Sequence, residues 1–95
     1  MALFVLVCTD KPDSLALRMA TRPAHLAYAG THSAKMKLGG PLLDDAGEMA
    51  GSLIILDVET RAEVEDFTAN DPYSLAGLFQ SVQILPYRVT LGTLG

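Results

Sequence analysis

Few side chains in this 95-residue chain combine useful chemistry with useful company. His25 is the first. It follows Arg22 by three positions and precedes Tyr28 by three, so on a helix the three fall near one face. Imidazole is the side chain best suited to exchange protons near neutral pH. The plainer alternative is a helical histidine that only bonds a backbone carbonyl. Asp71 is the second. It lies between Asn70 and Pro72, where aspartate makes a good helix cap and proline a good first helical residue. Capping does not exclude orienting a histidine, because a carboxylate has two oxygens. An aspartate on one ring nitrogen fixes the tautomer and leaves the other nitrogen to act. The separation of these two residues in sequence does not bring them together. Asp10, just after the first apolar run, is the other carboxylate that could partner His25; its ordinary reading is a turn residue. Ser52, beside Gly51, offers a hydroxyl to a ligand. It lacks the Gly-x-Ser-x-Gly elbow and is not read as a nucleophile. Arg22 and Ser52 could hold an anionic or carbonyl group.

Other chemistries lack support. Asp44, Asp45 and Glu48 do not have calcium-loop spacing. His25, His32 and Cys8 are not at zinc-ligand spacing, and His32 is expected in solvent. Gly39-Gly40-Pro41 lacks the lysine and the third glycine of a phosphate loop. No cofactor or metal is expected. The formal charge is −4, with seven basic and eleven acidic residues and no basic cluster. That argues against binding nucleic acid or an anionic membrane surface. The longest apolar run, Ala2–Cys8, is too short to span a bilayer, which takes roughly 20 residues. It also lacks the flanks of a signal peptide, so a cytoplasmic protein is expected. Cys8, the single cysteine, has no internal partner and reads as a small buried hydrophobe.

The elements that must position these residues follow from patterning. Residues 1–95 make one domain. Ala2–Cys8 reads as a strand that is apolar on both faces. Thr9–Asp13 breaks it. Ser14–Met19 is helix-compatible, and the helix restarts at Thr21-Arg22-Pro23, with proline in the first helical position. It should stop by Gly30, with Leu15, Leu17, Met19, Leu26 and Ala27 facing the core. Lys37–Leu42 is a short strand kinked at its glycines. After a polar loop over 43–48, Gly51–Val58 is the clearest strand, again apolar on both faces. Thr60-Arg-Ala-Glu63 is a capping box for a helix over Arg61–Ala69. A short helical piece, Ser74–Leu78, leads into a last strand, Phe79–Leu91, whose Pro86 suggests an edge position or a bulge. The order βαββαβ is ferredoxin-like α+β: a four-stranded antiparallel sheet with two helices on one face. Its other face would be too apolar for water, so a homodimer packed through that face is expected. Half of the chain is hydrophobic (49%), which fits such a shared face.

Arg22-Pro23-Ala24-His25-Leu26, Gly40-Pro41, Gly51-Ser52, Asp71-Pro72-Tyr73, Ala76-Gly77 and Leu85-Pro86-Tyr87 together resemble YCII-related (YciI-like) proteins in order and spacing. The resemblance covers essentially the whole chain. It implies a dimeric α+β barrel and a cleft with a histidine and an aspartate as an acid/base pair. The histidine position corresponds to His25 and the carboxylate to Asp71, with Asp10 the alternative. Arg22, Ser52, Tyr73 and Asp10 match positions that would line the same pocket and bind substrate. One member of such a family resembles a dehydrochlorinase acting on a small chlorinated lactone-type compound. The resulting expectation is proton abstraction or elimination on a small organic molecule, without a cofactor. A non-catalytic binding module or a dimerisation module is the alternative.

Overall fold

The computed structural model describes residues 2–94. The chain runs β1 (Ala2–Asp10), α1 (Leu15–Thr31), β2 (Met36–Leu43), β3 (Met49–Val58), α2 (Arg61–Ala69), α3 (Pro72–Leu75) and β4 (Phe79–Tyr87). The strands form one sheet in the order β2-β3-β1-β4, with every pair antiparallel. This is the ferredoxin-like arrangement. The two most apolar strands, β1 and β3, take the centre, where neither edge is offered to solvent. Pro86 lies on the edge strand β4, where a missing N–H breaks no outer ladder.

Alternation sorts the side chains of the sheet into two layers. Phe4, Leu6 and Cys8 of β1 and Ile54, Leu56 and Val58 of β3 form the core with Val64 and Phe67 of α2. The register pairs Phe4 with Leu56 and Leu6 with Ile54, so this face is continuous across the central strands. On the opposite face Val5 lies between Ile55 and Leu85. Leu38, Leu85 and Tyr87 are exposed on that second face. Among the described residues no helix is long and apolar enough to cross a membrane.

Helix α1 departs from expectation in two ways. It is continuous through Pro23 rather than restarting there. Proline in a helix interior cannot donate to the carbonyl four residues back, here Met19. Both Pro23 and Met19 are on the exposed side, where solvent can reach that carbonyl. The inner face is also different. Leu17, Met19 and Leu26 are exposed, as is Ala27, and Leu15 is half-buried. Arg18, Arg22, His25 and Tyr28 turn inward instead, at the three- and four-residue spacing of one helix face. Apolar residues occur all around this helix, so their pattern does not fix its rotation. Polar contacts do, as described below. His32 likewise lies half-buried, its ring against Tyr28 and Phe67.

The ends of the elements moved by small amounts. The short helix begins at Pro72, with Asp71 as its cap. β4 ends at Tyr87 rather than at Leu91. The start of α2 is as expected: the Glu63 carboxylate accepts from the backbone N–H groups of Glu59 and Thr60. Those two bonds hold Glu63 below its ordinary pKa.

Gly51 marks a close approach of β3 to β1. A Cβ there would run into the Cys8 carbonyl oxygen. Gly51→Ala is therefore expected to lower stability by about 1–3 kcal/mol, the usual cost of forcing atoms into a packed core. Gly30→Ala meets nothing within 4 Å and should stabilise by about 0.4–1 kcal/mol. Denaturant midpoints of the two variants should move in opposite directions.

Candidate functional site

Asp71 is placed by local chemistry. Its Oδ1 accepts from the Tyr73 backbone N–H at 2.9 Å, with Pro72 in the first helical position of α3. The same oxygen accepts from Nδ1 of His25 at 2.9 Å. The chain folds α3 against α1, and a cap and a ring partner become one atom. Asp71 is 2% exposed and the His25 side chain 13%. With Nδ1–H donating to the carboxylate, Nε2 carries the lone pair of the neutral ring.

The His25 ring stacks on Tyr73 with centroids 4.1 Å apart and planes 17° apart. The Arg18 guanidinium carbon also lies over the Tyr73 ring, 4.5 Å from its centroid. Tyr73 is almost wholly buried, and burial pushes its phenol up despite the opposing pull of Arg18 and Arg22.

Arg18 is 2% exposed. Its Nε donates to Asp10 Oδ2 at 2.7 Å, and its Nη2 donates to Asp10 Oδ1 at 3.0 Å and to Ser52 Oγ at 2.8 Å. Burial alone would discourage the charge, but the bond to Asp10 and its field outweigh it and raise the pKa of Arg18. Cys8 lies beneath, with its thiol pushed up to about 12 by burial first and by the negative Asp71 second. It is a neutral, buried core residue, as its sequence setting suggested.

These groups border a cavity of about 190 Å³ between α1 and the β2–β3 half of the sheet. Arg18, Arg22, His25, Ser52 and Tyr73 supply its polar wall. Leu26, Ala29, Met36, Pro41 and Ile54 supply much of the apolar remainder. Among the residues singled out from sequence, His25, Arg22, Ser52 and Tyr73 therefore meet at one cavity, with Asp71 directly behind the imidazole. Asp10 is not in the cavity wall. Its carboxylate is engaged by Arg18, and Asp71 is the carboxylate bonded to His25.

Sequence reading passed over Arg18. The signal was present: Arg18 precedes Arg22 by four residues and His25 by seven, which is one face of one helix. No cluster of three or more potential metal ligands occurs among the described residues.

The topology and the cavity define a ferredoxin-like α+β domain whose small pocket carries a hydrogen-bonded histidine–aspartate pair. The chain belongs to the YCII-related domain family, whose model matches residues 2–88. It is 31% identical over 94 residues to protein YciI of Escherichia coli, covering 90% of this chain and 96% of that one. An uncharacterized protein of Haemophilus influenzae is 30% identical over 93 residues, covering 90% of this chain and 95% of that one. Among solved structures, 5-chloro-2-hydroxyhydroquinone dehydrochlorinase from Burkholderia phenoliruptrix, in complex with 2,5-dihydroxybenzoquinone, superposes with a TM-score of 0.84. It is 37% identical, and the match covers 90% of this chain and 93% of that one. That dehydrochlorinase is named for a chlorinated hydroxyhydroquinone. An antibiotic biosynthesis monooxygenase shares the fold at a TM-score of 0.57 and 9% identity, with 96% of this chain and 100% of that one covered.

Removing one member of a buried ion pair strands the other charge. Asp10→Ala should therefore cost about 3–5 kcal/mol, measured by equilibrium unfolding in urea. A loss near that of an exposed pair, below about 1 kcal/mol, would show that Arg18 finds another partner.

Proposed function

We propose that this protein is an enzyme that removes a proton from a small organic molecule and thereby drives loss of a leaving group. The observation that carries this reading is the 2.9 Å bond between His25 Nδ1 and Asp71 Oδ1 at the wall of a cavity. Asp71 orients the ring, and Nε2 is the base. The abstracted proton goes to Nε2. The electron pair left on the substrate forms a new double bond, and the leaving group departs with its own bonding pair. For a chlorinated substrate the sum is loss of HCl, with no change in the number of electrons held by substrate and products together. Arg22 and Ser52, which line the cavity, hold the oxygen on which negative charge gathers. The likeness to a dehydrochlorinase at 37% identity supports the same class of reaction.

The test is chloride release from 5-chloro-2-hydroxyhydroquinone. His25→Gln should lower kcat by at least about a hundredfold, the usual worth of a positioned base, while leaving ligand affinity nearly intact. Wild-type turnover that survives His25→Gln would sink the reading. Binding without any turnover by the wild type would favour a non-catalytic binding module.

We also propose that the working unit is a homodimer packed through the second sheet face. Val5, Ile55 and Leu85 lie side by side there, and Leu85 is 50% exposed. An apolar surface of this kind is rarely left to water. Sedimentation should give about twice the 10.1 kDa chain mass. Val5→Glu, at the middle of that face, should return it to the monomer mass; a monomeric wild type would refute the dimer.

A further inference from the structure

We propose that Tyr73 is a positioning residue for the base. Its ring sets the plane of the His25 imidazole, and with it the direction of Nε2, and it does not bind the substrate. This rests on the reading of His25 as the base. It adds what aims that base, which the bond to Asp71 leaves open.

One hydrogen bond fixes one point of a ring. The bond from Nδ1 to Asp71 Oδ1 leaves the imidazole free to tilt about the N–H···O line. Such a tilt sweeps Nε2 along an arc, and a base that is off by about 1 Å loses much of its effect. A second constraint, on the plane of the ring, is needed. Tyr73 supplies one. The two ring centroids are 4.1 Å apart and the planes differ by 17°, the near-parallel contact of a stacked pair.

A template must be stiffer than the group it aims. Tyr73 is 1% exposed. Its backbone N–H is bonded to the same Asp71 oxygen that holds the imidazole. Phe79 meets its ring edge-on, with centroids 5.9 Å apart and planes at 72°. The Arg18 guanidinium lies over the ring, and its side chain also hydrogen-bonds that of Tyr73. Arg18 is held in turn by Asp10 and Ser52. A chain of contacts therefore runs from the buried ion pair through Tyr73 to the imidazole.

Tyr73 borders the cavity, so substrate contact is the competing role. Its burial leaves a ligand almost none of the ring to touch. Its hydroxyl is engaged by Arg18, and burial keeps the phenol protonated, so it is not a second base. The ring face has an electrostatic use as well. Once Nε2 takes the proton the imidazole is a cation, and an aromatic face attracts cations. Asp10 balances the other cation over that ring, Arg18.

The test compares Tyr73→Leu, which removes the ring, with Tyr73→Phe, which removes only the hydroxyl. Chloride release from 5-chloro-2-hydroxyhydroquinone reads the reaction, and circular dichroism checks the fold. Tyr73→Leu should lower kcat about tenfold or more and leave KM within about twofold, whereas loss of a ligand contact would raise KM. Tyr73→Phe should keep kcat within about threefold of wild type, because the ring remains. In the free protein, proton NMR reads the hydrogen-bonded Nδ1–H of His25. That resonance should persist in Tyr73→Phe and broaden through exchange with water in Tyr73→Leu. It needs no turnover, so it tests the aiming of the ring even where the wild type releases no chloride. A Tyr73→Phe that loses tenfold in kcat overturns the proposal even if Tyr73→Leu does not fold. So does a folded Tyr73→Leu that keeps kcat, raises only KM, or keeps the Nδ1–H resonance sharp. With His25→Gln inactive, those outcomes remove the role of Tyr73 and leave the base assignment standing. A His25→Gln that still turns over removes the base assignment, and the role of Tyr73 with it.

Discussion

Two charges taken out of water must be held in good geometry, because desolvation is expensive and only close pairing offsets it. Arg18 and Asp10 meet that demand with two bonds along one edge of the guanidinium, and Ser52 adds a third. The rest of the site follows from this contact. Asp10 ends β1, Ser52 belongs to β3, and Arg18 is near the start of α1. The pair therefore fixes the rotation of α1 over the sheet at one end. Helical spacing then turns Arg22, His25 and Tyr28 inward as well. At the far end the Tyr28 hydroxyl donates to the Phe67 carbonyl of α2 at 2.7 Å, which holds the helix from its other side.

A helix with long polar groups inward cannot lie flat on a sheet. The backbone of α1 packs mainly beside α3, while α2 also packs on the strands. The space beneath α1 is the cavity. Core formation and pocket formation are thus divided between the two long helices. Val64 and Phe67 of α2 close the apolar core, and α1 borders the cavity. Gly39 contributes on the opposite wall. A Cβ there would press on Met36 Sδ at 3.3 Å and Ile54 Cγ1 at 3.4 Å.

Much of this was legible in the residues. The two strands that are apolar on both parities were legible as strands, and the structure sets them side by side at the centre of the sheet. The capping box named the start of α2, and Asp71-Pro72 carried the cap signal of α3, although the pattern puts the helical piece over Ser74–Leu78 and the structure starts it at Pro72. The rotation of α1 was not legible from apolar pattern, because Leu15, Leu17, Met19, Leu26 and Ala27 lie on several sides of the helix. The ion pair that decides it joins residues 8 apart, and its bond to Ser52 spans 34. Neither spacing is a local signal. Arg18 went unnoticed for a related reason: a basic residue on a helix usually faces solvent, and only its register with Arg22 and His25 says otherwise. His25 and Asp71, 46 positions apart, were joined by family resemblance; composition and period could not do it.

The oxygen that starts α3 is also the oxygen that holds the imidazole. Loss of that four-residue helix would therefore displace the atom that aims the histidine, whereas a swing of His25 alone would leave the Tyr73 amide bonded. The orientation of the imidazole thus depends on a locally closed state, and opening of that state is what amide hydrogen exchange at Tyr73 measures. The readiness of this site is in that sense a property of the fold's local stability, and it can be followed without any substrate.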